Sequence, residues 1–157
     1  MDAAAAPLRK PPQNIEAELS VLGGVLLNNA SLDQILDLLS EGDFYREAHR
    51  KTFSCMQEMH EHGEAIDYLT LEDRLKDKDQ LEAVGGTTFI NTLTDAVPTA
   101  ANITHYARIV RDKAIARRLL QAASEILQAG FEDSDDLDAY LDRAEQLIFN
   151  VSQKRQL

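Results

Sequence analysis

Histidine and cysteine are the side chains of this sequence best suited to metal binding or nucleophilic catalysis, and their surroundings argue against both. His60 and His62 are two residues apart in a segment with helical periodicity, whereas a helical zinc site places its histidines at positions i and i+4. Cys55 lies close to Phe53 and Met56, where a small buried apolar side chain is favoured over a reactive thiol. The sequence therefore predicts no metal site and no catalytic residue.

Glycine-rich segments could bind a phosphate group, but none has the required form. No glycine-rich loop ends in Lys-Ser or Lys-Thr, and no Gly-x-Ser-x-Gly elbow of a serine hydrolase occurs. Gly23-Gly24 interrupts a helical pattern, and each glycine there destabilises the helix by about 1 kcal/mol relative to alanine. Because the flanking residues are helical, the pair favours a close helix–helix crossing over a phosphate site. His49 is expected to pack or cap locally. We therefore expect neither a cofactor nor catalysis in this chain.

The composition is that of a globular domain with an acidic surface. Hydrophobic residues make up 44% and charged residues 27% of the 157 residues, and the formal net charge is −11. Such a charge repels a phosphate backbone, so little direct DNA binding is expected. A single cysteine leaves no internal disulfide, and the sequence shows neither a secretory signal nor a membrane-length apolar run. The expected location is the cytoplasm, with no membrane partner.

Capping residues and apolar periodicity predict short helices in the first part of the chain. Asn14 is a good N-cap for a first helix, and the apolar residues after it recur at helical spacing. The run from Ser31 to Gln34 has the form of a capping box and predicts the start of a second helix. Further helices are predicted over about Arg46 to His62, from Thr70, and after Gly85-Gly86.

Two long helices are predicted to follow. Residues 102–128 contain no glycine or proline, and their apolar residues predict one helix on the order of 40 Å long, with Leu119, Ala122 and Ile126 on its inner stripe. Gly130 is expected to end this helix and Ser134 to cap the next. So short a connection requires an antiparallel hairpin. The apolar stripe of the second helix consists of Leu137, Leu141, Ala144, Ile148 and Val151.

The predicted fold class is therefore all-α, with a compact head of short helices followed by a long antiparallel helical hairpin. No convincing period-2 strand pattern occurs in the sequence. We predict a disordered lead-in over residues 1–13, the helical head over 14–97, the helical hairpin over 98–153, and the start of a linker over 154–157.

The two arms of the hairpin carry opposite charge and excess apolar residues. Basic residues cluster between His105 and Arg118, whereas acidic residues dominate from Glu132 to Glu145. These charges are either two solvated faces, in which each exposed pair contributes about 0–1 kcal/mol, or a guide for pairing between subunits. A two-helix hairpin has one inner face to bury, so leftover apolar area is expected to bind another copy. The predicted self-association residues are Ile103, Tyr106, Ile109 and Val110.

Several motifs resemble the N-terminal domain of the DnaB-type replicative DNA helicase family, in the same order along nearly the whole chain. They are PQNIEAELSVLGG at 12–24, DFY at 43–45 with His49 and Phe53, GG at 85–86 before Phe89-Ile90, AVPTAANI at 96–103, YARIVRDKA at 106–114, AEQ at 144–146 with Ile148-Phe149, and SQKR at 152–155. Thr52 and Tyr68 depart mildly from the family pattern. The chain also stops at Leu157, before the family's linker and RecA-like ATPase motor, so we expect no helicase activity here.

The resemblance implies a collar domain on a hexameric helicase ring that acts in DNA replication. In the family, paired hairpins build a homo-oligomer, a dimer that assembles toward a trimer-of-dimers hexamer, and ATP and Mg belong to the motor domain. The collar also binds the C-terminal domain of primase, and a helicase loader is a further partner that the resemblance allows. Positions matching family contact residues are Phe89, Leu120 and Ile126. Either they form a primase-docking site or all three are core; Leu120 is the best docking candidate, because it is rotated about 100° from Leu119.

Two other functional classes remain as alternatives. A free-standing helical adaptor or regulatory DNA-binding protein would need a basic recognition helix, whereas the helices of the head are acidic or neutral. Salt-dependent retention on a DNA column would distinguish that class. A small helical enzyme would need a pocket or cofactor that the sequence does not indicate.

Overall fold

The computed structural model describes residues 9–132 and 136–156, which form helices and the turns between them, with no strand in either range. The predicted all-α class is confirmed. Residues 1–8 of the predicted lead-in and Ser134 lie outside the described residues. The helices are α1 (Ile15–Leu27), α2 (Ser31–Ile35), α3 (Glu47–Glu61), α4 (Tyr68–Asp77), α5 (Leu81–Val84), α6 (Gly86–Thr94), α7 (Ile103–Phe131) and α8 (Leu137–Gln156), with a 3₁₀ turn at Glu41–Asp43.

Local capping signals predicted some helix ends correctly and others wrongly. Asn14 caps α1 as predicted, its side-chain oxygen accepting from Ala17 N at 3.0 Å. The capping box predicted at Ser31 is wrong, because Ser31 already lies inside α2 and its hydroxyl donates back to Asn28 O at 2.6 Å. Asp67 and Thr70 form a capping box at α4, and this helix therefore begins at Tyr68 rather than at Thr70.

The two long helices extend beyond the predicted boundaries. α7 passes through Gly130, the predicted stop, and ends at Phe131. A Cβ on Gly130 would lie 2.5 Å from the hydroxyl oxygen of Tyr140, so this glycine admits a close approach of α8. α8 continues to Gln156, past residue 153. Neither α7 nor α8, nor any other helix of the described ranges, is apolar enough over a sufficient length to cross a membrane.

The head and the base of the hairpin share one apolar core around α1. α1 packs against α3, α6 and α7. Its buried face includes Val21, Leu22 and Val25, and it meets the first half of α7. The buried residues of that half are Ile103, Ala107, Val110 and Ala114. Because α7 belongs to this core only at its beginning, the rest of the hairpin projects beyond it.

Two glycines let α1 approach its neighbours closely, as the sequence predicted. A Cβ on Gly23 would lie 2.4 Å from the backbone oxygen of Leu93 in α6, a distance that requires the helices to move apart. A Cβ on Gly24 would lie 3.1 Å from Cδ1 of Ile103 in α7. The glycine pair therefore marks a helix–helix crossing rather than a phosphate site.

We expect Gly23→Ala to lower the free energy of unfolding by about 1–3 kcal/mol, because the clash is with backbone and outweighs the better helix propensity of alanine. Urea unfolding followed by circular dichroism measures the change. Gly42→Ala is the matched control, since a Cβ there meets nothing within 4 Å. An equal effect of the two substitutions would contradict a close crossing at Gly23.

Candidate docking and self-association surfaces

Exposed apolar side chains are concentrated on the part of the hairpin that projects from the core. Within the described ranges, the second half of α7 buries Ala122 alone, and α8 buries no side chain. The exposed large apolar residues of the hairpin are Leu119, Leu120, Leu127, Phe131, Leu137, Leu141, Ile148 and Phe149. Exposed apolar side chains that are concentrated on one part of a fold commonly mark an interaction site, so the hairpin is the candidate interaction surface.

One apolar set forms a stripe on α8. Leu137, Leu141, Ala144, Ile148 and Val151 are spaced four and three residues apart, which places them on one face of the helix, as predicted. Ala144 and Val151 are half-buried, whereas the other three are between 40% and 66% exposed. We call these five residues the α8 stripe. The stripe is therefore only partly covered within the chain.

A second apolar set lies on the opposite side of α7 from α8. Ala122 faces α8 across a groove that Leu147 and Val151 also line. Leu120 is about 200° from Ala122 around the helix, and Leu127 lies seven residues beyond Leu120 on the same face. Leu120 is 55% exposed, so its predicted exposure is confirmed. We call the surface formed by Leu120, Leu127 and Phe131 the α7 outer face.

The structure corrects three assignments on α7. Ile103 and Val110, predicted to mediate self-association, are each 1% exposed, because the head covers them. Tyr106 and Ile109 are partly buried against the same core. Leu119, predicted on the inner stripe, is instead exposed. Helical periodicity identified an apolar face of α7 but not the neighbouring helices that cover it.

The three predicted primase-docking residues differ in burial and in the helix that carries them. Phe89 lies in the head, is half-buried, and stacks on His49 with ring centroids 5.7 Å apart. Ile126 is half-buried and about 120° from Leu120 around α7. Of the three, Leu120 alone is exposed, and it lies on the α7 outer face.

A buried polar pair that the sequence analysis missed supports the ring of Phe89. The Nδ1 atom of His49 lies 2.7 Å from Oε1 of Glu18, and both side chains are 1% exposed. Tyr45 N donates to Oε2 of the same carboxylate at 2.8 Å. Glu18 is four residues before Leu22, on the buried face of α1. A carboxylate at helical spacing within an apolar face is the signal that indicates a buried partner.

Two arginines of the basic arm make contacts with the head. Arg117 donates to Asp43 O at 2.7 Å and to Pro12 O at 2.8 Å, and its guanidinium lies over the Tyr45 ring. Arg118 forms an ion pair with the Asp43 carboxylate. Burial lowers the pKa of Arg117 below its usual value, and the nearby Glu18 carboxylate partly offsets that change. These contacts hold the hairpin on the head and leave Arg108 and Lys113 exposed.

No metal or nucleophilic centre emerges within the ranges that the structure describes. No group of three or more His, Cys, Asp or Glu residues there could hold a metal ion. Burial raises the pKa of the Cys55 thiol to about 11, so the thiol stays protonated at neutral pH.

Comparison with known proteins places the chain in a family. The family model described as DnaB-like helicase N terminal domain matches residues 10–112, well over half of the sequence. This chain belongs to the DnaB-like helicase N-terminal domain family. The predicted resemblance is confirmed.

Relatives of this DnaB-like domain are replicative helicases that are longer than the chain. It is 45% identical over 147 residues to the replicative DNA helicase DnaB of Geobacillus stearothermophilus, covering 94% of this chain and 32% of that protein. It is 41% identical over 147 residues to the replicative DNA helicase DnaC of Bacillus subtilis (strain 168), with 94% and 32% covered. The chain thus spans about a third of the length of the curated relatives it matches.

Solved structures agree with the DnaB-like fold. The crystal structure of the N-terminal domain of DnaB helicase from Mycobacterium tuberculosis superposes with a TM-score of 0.85 at 38% identity, covering 90% of this chain and 99% of that chain. A DnaB-like replicative helicase, whose structure was described together with its interactions with primase, superposes with a TM-score of 0.72 at 19% identity, covering 88% of this chain and 31% of that chain. At that identity the second likeness shows the fold alone.

Proposed function

We propose that this chain is the collar domain of a hexameric replicative DNA helicase, where it mediates ring assembly and primase docking during DNA replication in the cytoplasm. The observation that carries the proposal is the exposed apolar surface of the projecting hairpin in a chain of this family. ATP and Mg are assigned to the motor domain of the full-length protein, and no cofactor is assigned to this domain. The formal net charge of −11 supports little direct DNA binding.

Self-association is assigned to the α8 stripe. Its spacing is that of helices that pack against another helix, and its leucine and isoleucine side chains are only partly covered by the residues that the structure describes. The exposed cations Arg108 and Lys113 on α7 and the acidic side chains along α8 provide opposite charges that can set the register between copies. The resulting homodimer is proposed to build toward a trimer-of-dimers hexamer.

Primase docking is assigned to the α7 outer face, with Leu120 as its anchor. This face points away from α8, so it stays accessible when the α8 stripe is covered. An exposed leucine near basic residues has the anatomy of a docking site for the C-terminal domain of primase, an apolar centre with a charged rim. Phe89 is a second, separate contact, whereas Ile126 is a weaker candidate because it is half-buried. A helicase loader is a further proposed partner.

We expect Leu120→Asp to abolish binding to the C-terminal domain of the cognate primase while helicity and melting temperature stay nearly unchanged. The side chain is 55% exposed, so a carboxylate there stays solvated in the free domain but is desolvated beneath a partner. Isothermal titration calorimetry measures binding, and circular dichroism measures folding.

Leu69→Asp is the matched control for this experiment, because Leu69 is an equally exposed leucine in the head, at 61%. The control is expected to bind primase normally. Undiminished binding by Leu120→Asp would place the docking surface elsewhere on the domain, and loss of folding together with binding would assign Leu120 to the core.

A further inference from the structure

α8 is a long helix with little to hold it in a single copy of the chain. It spans Leu137–Gln156 and packs on α7, yet none of its described side chains is buried. Beyond Ala114, the part of α7 that supports it buries only Ala122 fully, and Ile115, Ile126 and Ala129 are half-buried. By contrast, α1 and α3 in the head each bury several side chains completely.

Within the described ranges, polar contacts with α7 restrain α8 at its two ends but not along its middle. Near the hairpin turn, the Tyr140 hydroxyl donates to Ile126 O at 2.7 Å. At the other end, Arg111 donates to the backbone oxygens of Lys154 and Arg155. Each partly exposed hydrogen bond of this kind contributes little to stability, since water competes for the same groups. The middle turns of α8 must therefore be stabilised by apolar packing.

Most of the stability of a helix in a protein comes from burial of its apolar face rather than from helix propensity. In α8 that face is the α8 stripe, and Leu137, Leu141 and Ile148 in it are exposed. Its four-and-three spacing is self-complementary in the manner of paired helices, so the same stripe on a second copy provides a matching cover.

We propose that α8 becomes stably helical only when a second copy of the hairpin covers the α8 stripe, so that folding of α8 and self-association form one coupled equilibrium. The proposal rests on the self-association put forward above and adds a mechanism to it. A single copy then keeps a folded head and the base of α7, while α8 opens and closes. Two copies then associate less tightly than preformed hairpins would, because part of the binding free energy is used to order α8.

Substitutions outside the interface provide a sharp test. Gln146 is exposed in the middle of α8 and lies two residues from both Ala144 and Ile148, so it points away from the α8 stripe. Glycine in a helix interior is less favourable than alanine, and both copies in the dimer carry the substitution. If self-association includes helix formation, Gln146→Gly should therefore have a dissociation constant about 25-fold higher than Gln146→Ala, about fivefold for each copy. Sedimentation equilibrium measures both values.

The same pair of substitutions at Asp73 serves as the control. Asp73 is exposed in the middle of α4, a helix of the head that is folded in one copy and in two. Asp73→Gly and Asp73→Ala should therefore self-associate equally. Equal dissociation constants for Gln146→Gly and Gln146→Ala would overturn the coupling, because they would show that α8 is already folded in the single copy.

Hydrogen exchange of the full chain is measured by mass spectrometry at protein concentrations below and above the dissociation constant. This experiment distinguishes coupled folding of α8 from self-association alone. Amides of α8 should gain protection on self-association, whereas those of α1 and α3 should be protected throughout. Self-association with α8 protected at both concentrations overturns the coupling and leaves the proposed self-association intact. A chain that stays monomeric overturns both, whether α8 is already protected or becomes protected only when primase is added.

Discussion

Replacing Glu18 with alanine is expected to lower the free energy of unfolding by about 3–5 kcal/mol, which corresponds to a fall in melting temperature on the order of 10 °C. Glu18 and His49 are each 1% exposed and 2.7 Å apart, so removing the carboxylate leaves a buried imidazole without its partner. The backbone N–H of Tyr45 loses its acceptor as well. Urea and thermal unfolding followed by circular dichroism measure the loss.

Asp33→Ala is the control, since Asp33 pairs with His60 at the surface. That pair has a similar distance of 2.8 Å, but Asp33 is 65% and His60 30% exposed. We expect a change below about 1 kcal/mol, because solvent screens exposed pairs. If Glu18→Ala lowers the free energy of unfolding no more than Asp33→Ala does, burial of the Glu18–His49 pair does not increase its contribution to stability.

The second large effect is expected on self-association. Substituting both Leu141 and Ile148 by aspartate should raise the dissociation constant of the homodimer by at least about 100-fold. Each substitution removes an apolar side chain worth about 1.5–3 kcal/mol when fully buried and adds charge to an arm that is already acidic. Light scattering and analytical ultracentrifugation across a concentration series measure the mass and the dissociation constant.

Gln146→Asp combined with Gln153→Asp adds the same charge to α8 away from the α8 stripe and is the matched control. It should self-associate nearly as the unmodified chain does. If the Leu141 and Ile148 double variant associates as tightly as this control, the α8 stripe is not the interface. Exchange of head amides should be the same in both variants, because neither Leu141 nor Ile148 belongs to the core of the head.

Local signals in the sequence predicted much of the secondary structure. The cap at Asn14 and the crossing at Gly23-Gly24 are both present. Such features depend on a few consecutive residues, so the sequence alone contains the information. The motifs at 12–24 and 96–114 were specific enough to indicate the family, which the comparisons confirm.

Tertiary structure alone decided which apolar and polar faces are covered. Ile103 and Leu120 both belong to apolar tracks of α7, yet one is buried by the head and the other projects into solvent. Glu18 and His49 are thirty-one positions apart, and only the packing of α1 on α3 brings them into contact. Helical periodicity determines the direction of a side chain around its own helix, whereas burial depends on the position of every neighbouring helix, which is set by packing between residues distant in sequence.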